Sequence, residues 1–256
     1  IAIREQTIDQ KHPNFAVSYH NIADIYQTMK QPANALTYQQ KSISILEEIL
    51  DKNHPDLANG YGQISKIYQT MGLLPQALTY RQKALHIQAL ILDKNHPDLA
   101  NSYNNISSIY QKMHQFPQAL EYQQKTIDTL EQASDINYAN LSVSYSRLSV
   151  IYQTTGQYPQ ALEYQQKAID LHAKTTTADS QELAMFYHRL SCIYQDMEQL
   201  HQALAYQQQA IIIREQAANK KHPNIAASYA NIASIYYKMK DITQAKDYIA
   251  RAIAIL

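Results

Sequence analysis

The sequence predicts an all-α protein, a solenoid of antiparallel helix pairs that repeat every 42 residues. The dipeptide Ile-Tyr recurs at that spacing, from Ile25-Tyr26 to Ile235-Tyr236. Apolar residues around it follow the helical spacing i, i+3, i+4, i+7, and sustained period-two alternation, the pattern of strands, is missing. Because a single helix pair cannot bury its apolar face alone, we expect the pairs to stack into one elongated domain.

Tyrosine dominates the aromatic residues, with 21 Tyr, 3 Phe and no Trp. Eighteen of the tyrosines fall into three columns with the 42-residue period. The columns are Tyr19, Tyr61, Tyr103, Tyr145, Tyr187 and Tyr229; Tyr26, Tyr68, Tyr110, Tyr152, Tyr194 and Tyr236; and Tyr38, Tyr80, Tyr122, Tyr164, Tyr206 and Tyr248. We interpret these columns as packing positions rather than as a stacking platform for bases or sugars.

The first helix of a repeat has a recognisable start. His-Pro followed by Asn or Asp stands at 12–14, 54–56, 96–98 and 222–224, and proline at the first helical position sacrifices no hydrogen bond. The fourth repeat offers Asp135 as a cap instead. The fifth offers Asp179 with Glu182 three residues later, the spacing of a capping box.

The second helix is predicted after Pro32, Pro75, Pro117 and Pro159, with an Ala-Leu-x-Tyr segment in most repeats. The turn between the two helices carries glycine in two repeats, at Gly72 and Gly156. The other four have Lys30, His114, Glu198 and Lys240 there.

Composition excludes several classes of protein. One cysteine rules out a disulfide framework and a cysteine-based zinc finger. Zero net charge argues against a general nucleic-acid binder. The sequence contains no apolar run of about 18 residues, so a membrane span is not predicted. It also opens without a secretory signal. We therefore expect a cytoplasmic protein that binds neither nucleic acid nor membrane.

The segment from Tyr145 to Ala168 resembles a tetratricopeptide repeat (TPR). Tyr145 takes the place of the family's first-helix Trp, and Leu148-Ser149 that of its Leu-Gly pair. The later signature positions are matched by Tyr152, Gly156, Ala161 and Ala168. The 42-residue period with His-Pro-Asp is similar to the kinesin-light-chain type. The resemblance implies a right-handed superhelix of six repeats and a protein-interaction scaffold that binds a peptide or partner protein in a concave groove.

The chain as a whole, residues 1–256, is read as one TPR solenoid. Its predicted parts are the tail of a preceding repeat at 1–11 and repeats at about 12–53, 54–95, 96–137, 138–179, 180–221 and 222–256. The sequence opens and closes inside second helices, which predicts a fragment of a longer protein. Uncapped solenoid ends also predict end-to-end self-association.

The resemblance implies that the first helices line the groove, which selects the candidate ligand contacts. These are Asn21, Asp24, Gln63, Lys66, Asn105, Lys112, Arg147, Arg189, Asn231, Tyr237 and Lys238. Asn and Gln offer both a donor and an acceptor, so they can pair with the backbone of an extended peptide. Positive charge exceeds negative charge in these rows, and Arg147 and Arg189 predict a pocket for a carboxylate or phosphate, because Arg presents a bidentate fork.

The residue after the third tyrosine column is polar in five repeats, which predicts either a wetter packing seam or partners for the tyrosine hydroxyls. The residues at this position are Gln39, Arg81, Gln123, Gln165, Gln207 and Ile249.

Catalysis and metal binding are not predicted, and neither is a cofactor. His188, Cys192 and Asp196 share a helix face at i, i+4 and i+8, but an exposed helix face supplies no oxyanion donors. The His-Pro histidines lie one per repeat, about 10 Å apart by usual helix packing, too far to share one metal ion. Two alternatives to the scaffold remain open: the sensor or regulatory arm of a larger signalling ATPase or protease, and a structural, self-assembling solenoid.

Overall fold

A computed structural model describes residues 12–175, 180–217 and 223–255. Within these ranges all regular structure is helical, in twelve α-helices without a strand, so the predicted all-α class is confirmed. The chain divides into two compact units, Ile1–Asp135 and Ile136–Leu256. The hand of the array, the number of repeats and their grouping into one domain stay predictions.

The first unit contains three helix pairs. Its helices are α1 (Pro13–Thr28), α2 (Pro32–Ile49), α3 (Pro55–Thr70), α4 (Leu74–Ile91), α5 (Pro97–Lys112) and α6 (Phe116–Glu131). We call the odd-numbered members first helices and the even-numbered members second helices. Each first helix packs on the second helix that follows it, and each second helix then packs on the next first helix of the unit.

The second unit repeats this arrangement. Its helices are α7 (Tyr138–Thr154), α8 (Tyr158–His172), α9 (Ser180–Asp196), α10 (Leu200–Ala217), α11 (Pro223–Lys238) and α12 (Ile242–Ile253). The predicted prolines lie in the first turn of the second helices α2, α4, α6 and α8, where no intrahelical N–H is lost.

Histidine caps the first helices of the first unit. The Nδ1 atoms of His12, His54 and His96 accept the backbone N–H two residues later, at 3.1 to 3.2 Å. This confirms the predicted role of the His-Pro signal; the fourth copy, His222, and the predicted cap Asp179 lie outside the described residues.

The predicted cap Asp135 is wrong. Asn137 directly precedes the first helical residue, and its side chain accepts the N–H of Asn140 at 3.0 Å. Asp135 lies three residues before α7 begins, outside the N-cap position from which a side chain reaches the N–H groups of the first turn.

The turn inside each helix pair has a left-handed residue at the predicted position. The residues are Lys30 (φ 56°), Gly72 (74°), His114 (58°), Gly156 (74°), Glu198 (59°) and Lys240 (64°). In the first turn, Lys30 N donates to Gln27 O and Gln31 N donates to Tyr26 O. This paired pattern is the Schellman motif, which satisfies the last carbonyls of a helix.

Small residues let the two helices of a pair approach closely. The Ser65, Ser107 and Ser149 hydroxyls donate to the carbonyls of Ala77, Ala119 and Ala161 at 2.6 to 2.8 Å. All six residues are essentially inaccessible to solvent. The serine at the glycine position of the family's Leu-Gly pair thus also hydrogen-bonds the first helix to the second helix.

The tyrosine columns meet inside each helix pair. The third-column ring lies 5.4 to 5.6 Å, centroid to centroid, from the second-column ring. It lies 5.8 to 6.2 Å from the first-column ring. Lys41, Lys83, Lys125, Lys167 or Arg251 covers the third-column ring in five pairs. The columns are packing positions, as predicted.

Candidate functional site

The predicted site residues lie on one face of the first helices, which we call the first-helix surface. Beneath it, in three helix pairs, the glutamine that follows the third-column tyrosine bonds a residue 19 positions earlier on the first helix. His20 Nδ1 lies 3.0 Å from Gln39 Oε1, and His188 Nδ1 lies 2.8 Å from Gln207 Oε1. These glutamines are at most 1% exposed, so the seam is dry, and their partners in these pairs are not tyrosine hydroxyls. In these pairs a side chain of the facing helix bonds the amide oxygen, which neither predicted explanation named. The Nε2 atom of Gln207 has no hydrogen-bond partner among the described residues.

The second helix pair departs from this pattern. Arg81 stands where four other pairs place glutamine and the last places Ile249, and Gly62 stands where they place His, Asn, Ser or Ala. A β-carbon added to Gly62 would lie 3.3 Å from Arg81 Nη1, so the glycine leaves the room that the guanidinium fills. Burial lowers the pKa of Arg81, and its Nε atom has no hydrogen-bond partner among the described residues.

A cavity of about 420 Å³ opens on the first-helix surface between α1 and α3. Its apolar lining is Ala16, Val17, Leu46 and Gly60, and its polar lining is His20, Gln39, Ser42, Asp56, Asn59 and Gln63. A hollow that combines apolar surface with several polar groups is the usual form of a side-chain pocket. Of the predicted site residues, Gln63 lies in its lining.

The predicted amide contacts of the first helices are only partly available to a ligand. Asn21 is exposed, while Gln63, Asn105 and Asn231 are half-exposed. The side-chain amide of Asn105 donates to Asn101 O at 2.8 Å within its own helix. The four side-chain amides are therefore not equally accessible to a ligand.

Arg147 and Arg189 are neighbours in the second unit. Arg147 is exposed and Arg189 is half-buried. Burial lowers the pKa of the Arg189 guanidinium, and the charge of Arg147 lowers it further. Because burial and the charge of Arg147 both disfavour the charged form of Arg189, an anion bound beside Arg189 would stabilise it.

Other predicted charged contacts bond to neighbouring helix pairs or to their own helix. Lys112 Nζ donates to Gln69 at 3.3 Å, and Lys238 Nζ donates to Gln195 at 3.2 Å. Asp24 accepts from Gln27 and lies 3.6 Å from His20 Nε2. These side chains therefore have contacts within the protein as well as exposed surface.

Two further predicted residues present open surface. Tyr237 is 68% exposed, and Lys66 lines a smaller hollow with Gln27, Lys30 and Thr70. Tyr237 lies outside the tyrosine stacks, since it belongs to none of the three columns.

The Cys192 thiol is not activated by its neighbour. Cys192 Sγ lies 3.7 Å from His188 Nε2. Burial raises the pKa of the thiol, and the charge of Asp196 raises it further, while burial lowers the pKa of His188. Both shifts favour the neutral pair over a thiolate and an imidazolium, the opposite of a nucleophilic site. In the described ranges, no three His, Cys, Asp or Glu side chains group as a metal site requires.

Sequence reasoning missed Arg81 and the cavity beside Gly60 as features of this surface. The signal for Arg81 was present, because Gly62 and Arg81 depart from the internal repeat together. The cavity had a weaker signal: Gly60 stands where the other repeats have serine or phenylalanine. Nothing in the pattern of one repeat shows which side chains of the next repeat lie opposite.

Helix pairs that recur with the same tyrosine stack and the same turn define a helical repeat protein. The profile of the tetratricopeptide repeat matches residues 14–89, 56–132, 98–174 and 177–256. The chain therefore belongs to the tetratricopeptide repeat family. Comparison with curated proteins gives no match. None of the helices in the described ranges combines the length and apolar character that crossing a membrane needs.

Solved structures with the same fold differ widely in sequence. BtubC (BKLC) from P. vanneervenii is 15% identical with a TM-score of 0.68, over 94% of this chain and 89% of that one. A Podosopora anserina protein with nearly identical TPR-like repeats, assigned to the kinesin light chains, is 20% identical with a TM-score of 0.50, over 95% and 96%. These similarities show the shared fold, and the kinesin-light-chain-like type stays a prediction.

A third similar structure is much longer than this chain. It is the signal transduction ATPase with numerous domains (STAND) from Pyrococcus horikoshii, which has a tetratricopeptide repeat sensor. The two are 20% identical with a TM-score of 0.75, and the match covers 97% of this chain but 37% of the ATPase.

Proposed function

We propose that this chain is a non-enzymatic interaction module that binds a peptide or a partner protein on its first-helix surface. The observation that carries the proposal is the cavity between α1 and α3, which has both apolar and polar lining residues. Val17, at its edge, is 59% exposed, and an apolar side chain of a partner would bury both surfaces.

The polar rim supplies the second element of recognition. Asn59 and Gln63 lie on α3 beside the apolar lining. Their amides both donate and accept, which suits the backbone of a peptide whose side chain enters the cavity.

In the second unit, the proposal assigns an anionic group of the partner to Arg147 and Arg189. The support is the proximity of the two guanidinium groups and the partial burial of Arg189. A carboxylate or phosphate between them would offset their mutual repulsion through charge-assisted hydrogen bonds.

The sensor arm of a larger signalling protein is the second candidate, and it uses the same binding surface. The specific observation that favours it is the fold shared with the repeat sensor of the STAND ATPase. The flanking sequence of the full-length gene decides between them: a P-loop or a catalytic dyad beside the array would favour the sensor arm. A self-assembling solenoid, the third reading, would keep binding its partner after changes to the first-helix surface.

Peptides selected from a random displayed library test the proposal. We expect Val17→Asp to lower the affinity for the selected peptides by about tenfold or more, as loss of a buried anchor does. An acidic residue in the first turns is compatible with the helix, so the fold should persist. Ile212→Asp, at a residue 50% exposed on a second helix, is the matched control. Equal affinity of the wild-type protein and Val17→Asp for every selected peptide would refute the proposal.

A further inference from the structure

A hollow of about 620 Å³, which we call the α4 hollow, lies between α4 and the loop that joins α2 to α3. Lys52 and Lys83 line it together with His86, and none of the described residues in its lining is acidic. It shares no lining residue with the cavity between α1 and α3. The α4 hollow therefore concentrates positive charge, although basic and acidic residues balance in the whole chain.

Aromatic rings hold the ammonium group of Lys83 in place. Its Nζ atom lies 5.1 Å from the ring centroid of Tyr80 and 5.3 Å from that of Tyr61. The face of an aromatic ring attracts a cation, but the ring carries no net charge that would cancel the charge of the cation. Lys83 thus presents a positioned positive charge to the hollow.

The third helix pair shows the same lysine in a neutralised setting. There Lys125 Nζ bonds to Glu121 at 2.7 Å, and Asp128 follows three residues later. The second helix pair has Thr79 and His86 at the positions of these two acids. The loop lysine, the loop asparagine and the first-column tyrosine are the same in both pairs. The exchange of two acids therefore gives the α4 hollow its charge.

Two carboxylates contact lining residues of the hollow without lining it themselves. Glu47 accepts the Tyr61 hydroxyl at 2.6 Å, and Asp51 accepts the backbone N–H of Asn53 at 2.9 Å. Both carboxylates are thus engaged with other donors, and the charge that a ligand meets in the hollow is that of the two lysines.

Apolar surface accompanies this charge. Ile87 is 4% exposed and Leu90 is 58% exposed, and both line the hollow. The residues equivalent to Leu90 in the other repeats are polar or charged: Glu48, Gln132, Lys174 and Gln216. An apolar group that covers Leu90 would remove its surface from water, which favours binding.

We propose that the α4 hollow binds a phosphate monoester whose organic part is apolar, such as the side chain of phosphotyrosine. A phosphate dianion matches two ammonium groups, and its oxygens accept hydrogen bonds from lysine, amide and imidazole N–H groups of the lining. The organic part packs on Leu90. The hollow shares no residue with the cavity that carries the proposed function, so the two proposals stand or fall separately.

Phenyl phosphate and its two component groups test the site. In protein labelled with ¹³C at lysine Cε, the Lys83 signal is identified by its loss in Lys83→Gln. We expect phenyl phosphate to shift this signal saturably, phenol to leave it in place, and inorganic phosphate to bind about tenfold more weakly, because it buries no apolar surface. Lys125, with the same tyrosine stack but Glu121 beside it, is the internal control. Equal shifts of Lys83 and Lys125, or a Lys83 signal that does not move, overturn the proposal.

A blocked Ala-phosphotyrosine-Ala tripeptide identifies the source of the phosphate group. Binding at least as tight as that of phenyl phosphate supports a phosphorylated side chain of a partner protein. Binding of phenyl phosphate alone supports a small phosphate ester, because the flanking peptide is then excluded from the hollow.

The third helix pair also supplies a matched variant. Thr79→Glu with His86→Asp gives the second pair the two acids that the third pair carries, so we expect the denaturant midpoint to be retained. The Kd for phenyl phosphate should rise about tenfold or more, because carboxylates repel a phosphate. Thr79→Gln with His86→Gln adds no charge and should keep the Kd within about threefold. Retained binding in the acidic variant, or equal loss in both variants, would show that charge is not the cause and would overturn the proposal.

Discussion

The Ser146 hydroxyl donates a 2.9 Å hydrogen bond to Oε1 of Gln165 inside the seam between α7 and α8. The other end of the same amide donates from Nε2 to the backbone carbonyl of Phe186 in α9, at 3.2 Å. One buried side chain thus holds three helices and joins one helix pair to the next.

Replacing this amide should destabilise the second unit. We expect Gln165→Leu to lower the free energy of unfolding by about 1 to 3 kcal/mol, because the Ser146 hydroxyl and the Phe186 carbonyl lose a partner in a buried setting. Urea denaturation measures the loss. Gln166→Leu is the matched control, since the adjacent Gln166 is exposed and donates to Asp170 on its own helix. A loss of the same size in both variants would contradict the assigned role.

The sequence predicted what repeats and missed what departs from the repeat. The tyrosine columns and the His-Pro starts were readable because the same contact recurs every 42 residues. The partners of Gln165 were not readable from the sequence, because Ser146 and Phe186 lie on two other helices. Helical periodicity indicates which residues are buried, and it does not indicate which residues pair. The cap at Asn137 was missed for a local reason: both Asp135 and Asn137 have capping side chains, and only the point where α7 begins decides between them.

The assignment of the first-helix residues to a ligand stays a prediction, and the structure adds what these residues contact within the protein. Arg147 and Arg189 are neighbours, as their equivalent places in successive repeats indicated. Lys112 and Lys238 were assigned to a ligand, and the structure shows each bonded to a glutamine of the preceding helix pair. Contacts between repeats depend on the stacking geometry, which a one-repeat pattern does not contain.

Glycine is energetically preferred at the left-handed turn position, and the six equivalent turns allow a matched test. Gly156→Ala should lower the free energy of unfolding by about 1 kcal/mol, since φ is 74° there and alanine disfavours that region. Glu198→Gly, at φ 59°, should raise it by about 0.5 to 1 kcal/mol, through relief of left-handed strain. Glu198→Ala keeps the strain and is the control, with a change within about 0.5 kcal/mol. Thermal and urea denaturation would measure all three; a stabilising Gly156→Ala is incompatible with the turn geometry.

Stability should fall in mild acid because of His188. Burial lowers the pKa of His188 below its ordinary value of 6.5, and the charges of Arg214 and Arg189 lower it further, against the opposing hydrogen bond of Gln207. The unfolded chain therefore takes up this proton first, so the contribution of the neutral imidazole is present above pH 6.5 and lost as the pH falls through the folded pKa. His188→Gln should flatten the pH dependence of the unfolding free energy between about pH 7.5 and 5. His201→Gln, at an exposed histidine, should leave the slope as it is; identical slopes in all three proteins would remove His188 as the cause.

Arg147 and Arg189 should separate binding from stability in the second unit. Arg189→Ala removes a half-buried cation whose charge is disfavoured by burial and by Arg147, so we expect unfolding stability to be retained while the affinity for an acidic selected peptide falls by about tenfold. Arg147→Ala should lower the affinity for the same peptide. The double variant should lose less binding free energy than the sum of the losses in the two single variants, because both guanidinium groups bind one anion. Fluorescence anisotropy at two salt concentrations measures this coupling, with Arg251→Ala as the control for general charge. Strict additivity of the two substitutions, or unchanged affinity in both, would show that the two arginines do not share an anion.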